Sequence, residues 1–134
     1  MTKERLKEYR HLKIEEEQLE RQLLEHMDKS LVGGARLTGL PKGGEIADTT
    51  AQLAVESVEM YAMLLAKRLE IAGMRKEIEE WIEGLEDSCE RVLMRSRHIE
   101  GKSWEDICVI MGYSRRNILY LHSKILKSLH TIAH

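Results

Sequence analysis

The side chains that usually catalyse reactions or bind metals are few and scattered in this chain of 134 residues. Its six histidines are scattered along the chain, and His130 and His134 are the only two with the His-x-x-x-His spacing of a metal-binding pair. The six are His11, His26, His98, His122, His130 and His134. Cys89 and Cys108 lie among apolar residues, too far apart in sequence for a Cys-x-x-Cys zinc site, which predicts buried free thiols. We therefore expect no enzyme active site, no metal and no other cofactor.

A phosphate-binding loop is the one nucleotide motif whose spacing the chain partly reproduces. Gly34 and Gly39 have the separation of its outer glycines. The next two positions should be Lys and Ser or Thr, but they are Leu40 and Pro41. The segment therefore reads as a connector, without the phosphate cradle.

The C-terminal residues favour contact with nucleic acid, because no acidic residue follows Asp106. From Ser114 onward, one predicted helix face is apolar and comprises Ile118, Leu121, Ile125 and Leu129. The opposite face carries Arg115, Arg116, Leu119, Tyr120, Ser123 and Lys127, with Lys124 on its flank. Arginine can bond guanine O6 and N7, and lysines farther along would meet phosphates. An ordinary solvated basic face is the alternative. His122 and His130 lie on this segment, where we expect them to gain charge below a pH of about 6.5.

Short helices with strong start and stop signals position this face. Asp87 predicts the start of a helix that Gly101 ends. Ser103 with Asp106 predicts a second helix, which stops at Gly112, and Ser114 with Asn117 predicts a third. Two helices joined by a glycine turn have the layout of a helix-turn-helix.

Long amphipathic helices are predicted before residue 86. Residues 2–29 form one helix, whose apolar stripe is Tyr9, Leu12, Leu19, Leu23 and Met27. Residues 31–47 form a glycine-rich connector, and Asp48 caps a helix over 48–84. The heptad positions of that helix are Leu53, Ser57, Met60, Leu64, Lys67, Ile71, Met74, Ile78, Trp81 and Leu85. A second stripe comprises Ala54, Val58, Tyr61, Leu65, Leu69 and Ala72. A face this broad needs more than one partner helix, so we expect a homo-oligomer, with a dimer favoured.

These patterns predict an all-α fold with two domains. Residues 1–85 would form an N-terminal antiparallel helical hairpin, or coiled coil, that mediates oligomerisation. Residues 86–134 would form a C-terminal three-helix unit with the helix-turn-helix. Residues 1–85 carry 13 Lys and Arg against 17 Asp and Glu, whereas residues 86–134 carry 8 against 6. No stretch has the composition of a signal peptide or membrane span, so we expect a cytoplasmic protein without a membrane partner.

The segment LEDSCERVLMRSRHIEGKSWEDICVIMGYSRRNILYLHSKILKSL resembles region four of bacterial sigma factors, which reads the −35 promoter element. The order of a coiled-coil front, the RLTGLPKGGEIADTTAQLAV connector and a sigma-like back is similar to small phage-encoded transcriptional regulators of the ArpU/RinA kind. The resemblance implies a DNA-binding activator of phage genes, with double-stranded DNA and RNA polymerase as expected partners. The chain lacks the sigma region that binds polymerase core and melts DNA.

The resemblance also extends the set of expected DNA contacts. Ser114 and Asn117 match the DNA-facing side of the sigma recognition helix. The complete expected set is Lys102, Ser114, Arg115, Arg116, Asn117, Tyr120, Ser123, Lys124 and Lys127. Sigma proteins commonly have a basic residue at the position of Leu121 and an apolar one at His122, and this chain exchanges them.

Two further functions stay open at the level of sequence. A subunit of phage DNA packaging, like the small terminase subunit, also joins a helix-turn-helix to an oligomerising helical region, although there we expect the DNA-binding unit first. A structural coiled-coil interaction protein fits residues 1–85. That function leaves the acid-free third helix without a purpose.

Overall fold

The structure is a computed structural model that describes the backbone of residues 1–35 and 43–132 and the side chains of residues 1–29 and 48–129. Within these ranges every regular element is helical, which confirms the predicted all-α class. The elements are α1 (Lys3–Ala35), α2 (Gly43–Glu83), α3 (Ser88–Met94), a π-helix (Arg95–Ile99), α4 (Trp104–Met111) and α5 (Arg115–Ile132). None of the described helices combines the length and apolar character that a bilayer crossing requires.

The glycine-rich segment 31–47 is helical at both ends, which corrects the prediction of a connector along its whole length. α1 continues to Ala35, and α2 begins at Gly43. Asp48 consequently lies inside α2, and its predicted role as a helix cap is wrong. Adding a residue to an existing helix is easier than nucleating one, so a long helix extends into weak helix formers. The remaining residues of the predicted connector, 36–42, lie outside the described part of the chain.

Residues Lys13–Glu70 form one of two compact units, and polar contacts link α1 to α2 within it. Lys67 Nζ lies 2.5 Å from a carboxylate oxygen of Glu15. Farther along α1, His26 Nε2 lies 2.8 Å from a carboxylate oxygen of Glu56. As the residue number along α1 rises from Glu15 to His26, the number of the contacting residue on α2 falls from Lys67 to Glu56. The two helices are therefore antiparallel in this unit.

Met1–Leu12 and Ile71–His134 form the other compact unit. Its buried core comprises Leu6, Tyr9, Leu12, Ile71, Met74, Ile78, Ile82, Leu93, Met94, Ile99, Ile107, Ile118, Ile125 and Leu129. Residues from both long helices therefore share a core with α3, α4 and α5. This division does not coincide with the domain boundary predicted at residue 85.

The two apolar stripes predicted on α2 differ in burial. In the first stripe, Leu64, Ile71, Met74 and Ile78 are buried, and the other described positions are half-buried. Every member of the second stripe is exposed, including Leu69 at 77%. Met27, which the sequence placed in the apolar stripe of α1, is exposed as well.

The segment predicted as a single helix from Asp87 to Gly101 contains two kinds of helix. The Asp87 carboxylate accepts a hydrogen bond from the Cys89 backbone N–H at 2.9 Å, which confirms the predicted cap. After Met94 the helix widens into a π-helix, in which the Glu100 N–H donates to the Arg95 carbonyl at 2.9 Å. Gly101 has φ of +69° and ends the segment as predicted.

Candidate nucleic-acid interface

The orientation of α5 is set by the turn that precedes it. Gly112 adopts the left-handed conformation, with φ of 70°, and its N–H donates to the Cys108 carbonyl at 2.8 Å to end α4. The Ser114 hydroxyl then accepts from the Asn117 N–H at 3.2 Å, which satisfies one free donor at the start of α5. An αL glycine followed two residues later by an N-cap serine therefore ends α4 and starts α5 within three residues.

One side of α5 is held in the core of the C-terminal unit. Ile118, Ile125 and Leu129 are buried, and α5 packs against both α3 and α4. On α4, Ile107 is fully buried, while Met111 is half-buried against the same core. These contacts leave the opposite side of α5 facing outward.

The residues predicted on that outer side are brought together as a single exposed surface, here called the α5 face. All of its members are exposed: Arg115, Arg116, Asn117, Tyr120, Ser123, Lys124 and Lys127. Ser114 is also exposed, directly before the first turn. Tyr120 projects from the middle of the face, with 66% of its surface accessible.

Lys102 is the one predicted contact that lies outside α5 and its cap. It is half-buried in the turn before α4. Its ammonium group lies 2.8 Å from a carboxylate oxygen of Glu100, and its carbonyl accepts a hydrogen bond from Arg97 at 2.9 Å. Lys102 is thus partly neutralised by a carboxylate, unlike the arginines of the α5 face.

The two arginines at the start of the α5 face are not balanced by carboxylates of the described residues. Within the residues that the structure describes, the guanidinium groups of Arg115 and Arg116 take part in no ion pair. Two positive charges in the first turn of a helix also oppose the positive end of its macrodipole. Their placement therefore does not stabilise the helix, and it leaves both guanidinium groups available to an anionic partner.

A pair of histidines connects α5 to the π-helix at the edge of the core. His98 Nε2 and His122 Nε2 are 2.9 Å apart, and the two rings stack with centroids 5.1 Å apart. Burial lowers the pKa of His98 to about 4, assisted by His122 and by the positive charges of Arg97 and Arg10. Burial likewise lowers the pKa of His122 to about 4, assisted by Arg97 and Lys3. The prediction that His122 gains charge below a pH of about 6.5 is therefore wrong. The side chain of His130, for which the same prediction was made, lies outside the described residues.

Trp104, the first residue of α4, completes this cluster. Its ring meets His122 edge-on, with centroids 4.8 Å apart. The Arg97 guanidinium lies over the Trp104 ring, 4.1 Å from its centroid. Burial, followed by the nearby charge of Arg10, lowers the pKa of Arg97. Sequence reasoning did not find this cluster, because its members are far apart along the chain and match no motif.

A second contact that the sequence did not predict anchors the turn itself. The sulfur of Cys89 on α3 lies 3.2 Å from the hydroxyl of Tyr113. This hydrogen bond is the main reason that the pKa of Tyr113 is raised. Both cysteines are free thiols, but they are half-buried, whereas the sequence predicted that both would be buried.

The unit formed by residues 13–70 contains a Ser–His–Glu arrangement that superficially resembles a catalytic triad. His26 Nδ1 lies 2.9 Å from the Ser57 hydroxyl, and His26 Nε2 lies 2.8 Å from Glu56. The Ser57 hydroxyl donates to the Leu53 carbonyl of its own helix at 2.9 Å, so its proton is held away from the imidazole. The group links α1 to α2. Among the described residues, no three His, Cys, Asp or Glu side chains are grouped so that they could hold a metal.

Comparison of the chain with known proteins found no matching family, characterised protein or solved structure.

Proposed function

We propose that this protein is a sequence-specific DNA-binding transcriptional regulator that reads the major groove with α5. The observation that carries the proposal is the α5 face. It is exposed and free of carboxylates, and its first turn carries two arginines without an ion-pair partner in the described part of the chain. The α4–turn–α5 geometry supports a helix-turn-helix mode of docking, in which the N-terminal residues of the second helix contact base edges.

Some side chains of the α5 face have the chemistry to contact base edges, and others have the chemistry to contact phosphates. Arg115 and Arg116 can each donate two hydrogen bonds to guanine O6 and N7, and Asn117 suits adenine. Lys124 lies more than two helical turns after the two arginines, where it can contact a phosphate. Such a contact positions the protein on DNA without reading its sequence. Tyr120 offers a ring and a hydroxyl between the arginines and Lys124. Reading and positioning groups thus follow one another along a single helix.

The finer proposal comes from the resemblance to sigma region four and to ArpU/RinA-like regulators. It is a phage-encoded, cytoplasmic activator that binds double-stranded DNA beside RNA polymerase. A DNA-packaging subunit would bind DNA through the same face, and the two functions differ in whether binding stimulates transcription. A purely structural coiled-coil protein would use residues 13–70, and it gives the α5 face no partner.

The test begins with selection of bound sequences from random duplex DNA, followed by titration of the selected site by fluorescence anisotropy. Replacing Arg115 and Arg116 by Ala should raise the dissociation constant at least tenfold, since each base contact contributes about 1–3 kcal/mol. Replacing Lys124 by Ala should weaken binding to all sequences alike and reduce the salt slope by about 1.

A matched control comes from two adjacent cations on α2. Arg75 and Lys76 are exposed, and replacing both by Ala removes the same charge as the Arg115/Arg116 variant. The control should keep the affinity and specificity of the parent. Equal loss of affinity in the two double variants would mean that only net charge matters. That result, or a parent protein that prefers no sequence, would contradict the proposal.

A further inference from the structure

A second apolar seam runs along α2 on the side that does not face α1, within residues 13–70. Six residues spaced alternately four and three apart form this outer seam: Ala51, Val55, Val58, Ala62, Leu65 and Leu69. Such spacing keeps side chains on one face of a helix and is the repeat of a coiled coil. All six are exposed, and Val58 retains 68% of its accessible surface.

The outer seam is separate from the contacts that α2 makes with α1. Ser57 and Lys67, which contact α1 through His26 and Glu15, belong to the first stripe of α2, the heptad positions. At 3.6 residues per turn the two stripes lie on nearly opposite sides of the helix. Leu64, one of the heptad positions of α2, is buried within the chain's own fold. The residues of the outer seam therefore do not contribute to the core of a single chain.

We propose that the outer seam binds the outer seam of a second copy of this chain, with the two α2 helices antiparallel. In that orientation Ala51 lies opposite Leu69, Val55 opposite Leu65, and Val58 opposite Ala62. Each layer then combines a larger with a smaller side chain, which favours even packing along the interface. A parallel pair would instead place Ala51 against Ala51 and Leu69 against Leu69. The distance between the two helices would then have to differ between the two ends of the interface.

The surroundings of the outer seam favour a second copy over a lipid surface. Within residues 51–69, the charges that flank the outer seam are Glu59 on one edge and Arg68 on the other. Helices that lie on membranes are usually rich in Lys and Arg on the polar face. The antiparallel pair brings Glu59 near Glu59 of the second copy, but exposed like charges cost little compared with a six-residue apolar seam. This association goes beyond the proposed DNA binding and does not depend on it.

The first test measures the mass of the full chain by sedimentation equilibrium. The parent should form a dimer of twice 15.6 kDa. Replacing Val58 and Leu65 by Asp should raise the dimer dissociation constant about 100-fold or more, because two charges per copy would be buried without partners. Since both residues are exposed in the single chain, the far-UV circular dichroism of the variant should still show a folded helical protein.

The control is Ile14→Asp, which introduces one carboxylate at an exposed apolar residue of α1. It should leave the dimer unchanged. A parent chain that stays monomeric at high micromolar concentration would overturn the proposal, and so would a dimer that persists in the Val58/Leu65 variant. Loss of association in the Ile14 variant as well would also contradict an interface confined to the outer seam.

Disulfide trapping tests the orientation. Positions 51 and 69 are about 27 Å apart along α2, whereas a disulfide needs Cα atoms within about 7 Å. A mixture of the Ala51→Cys and Leu69→Cys chains should therefore form the 51–69 cross-link, located by peptide mass mapping to separate it from Cys89 and Cys108. Each variant alone should form no cross-link between identical sites. Cross-links at 51–51 and 69–69 would overturn the antiparallel arrangement.

Discussion

Replacing Gly112 by Ala isolates the conformational cost of the turn before α5. Gly112 has φ of +70°, and a Cβ atom added there would meet no heavy atom within 4 Å. The substitution therefore creates no clash, and its effect comes from the backbone alone. The left-handed conformation costs a residue with a Cβ roughly 1–2 kcal/mol.

Part of that cost is offset because Ala also has less freedom than Gly in the unfolded chain, by about 0.4–1 kcal/mol. We therefore expect Gly112→Ala to lower the free energy of unfolding by about 1 kcal/mol. For a chain of this size the midpoint of thermal unfolding should fall by about 4 °C. Gly112→Asn should cost less, because asparagine tolerates the left-handed region better than alanine.

Two other glycines serve as internal controls in the same denaturation assay. Gly101 also has φ of +69° with open space at its Cβ, so Gly101→Ala should cost about as much as Gly112→Ala. Gly73 lies inside α2, again with nothing within 4 Å of its Cβ, and Gly73→Ala should raise stability by about 0.5–1 kcal/mol. The reasoning would be refuted if Gly112→Ala and Gly73→Ala changed stability in the same direction.

Two further predictions concern the core and its histidine pair. Ile107→Ala should lower the free energy of unfolding by about 2–5 kcal/mol, because Ile107 is fully buried. Val109→Ala, two residues along α4, should lower it by less than about 0.5 kcal/mol, because Val109 is 83% exposed. If urea denaturation showed similar losses of stability for the two variants, this packing would be contradicted. His98 and His122 have a pKa of about 4 when folded and 6.5 as their ordinary value, so the unfolded chain binds more protons between these limits. Stability should be fully present above about pH 6.5 and fall toward pH 4, by about 1 kcal/mol per pH unit for the pair after allowance for its partial exposure. Replacing both histidines by Gln should flatten this dependence of stability on pH, and the exposed His11→Gln control should not. If the stability of the parent did not change between pH 7 and 5, the lowered pKa values of the two histidines would be contradicted.

The short C-terminal helices could be predicted in some detail, because their ends depend on local chemistry. Asp87, Ser103 and Ser114 each accept a hydrogen bond from a backbone N–H at a helix start, as their spacing predicted. Gly101 and Gly112 adopt positive φ at the predicted ends. The exposure of the α5 face follows from the same local information, because the period of the helix separates Arg116 from Ile118.

The limits of α2 and the π-helix could not be predicted in the same way. A helix that is already formed extends at low cost, so it includes Gly43 and passes Asp48 in spite of the local cap signal. The π-helix keeps Ser96 and Ile99 buried within the core, a requirement that exists only once the chain is folded.

Heptad spacing on its own determined that α2 carries two apolar stripes, but it does not say which of them a single chain covers. The tertiary structure buries Leu64 and leaves Val58 and Leu69 exposed, because α1 covers only one side of α2 within residues 13–70. The environment of His122 was decided in the same way. Its position on a basic helix predicted a histidine that gains charge below a pH of about 6.5. The approach of His98 and Trp104 from other elements instead desolvates it and lowers its pKa to about 4. Periodicity and capping are properties of neighbouring residues, while desolvation depends on which distant residues pack together.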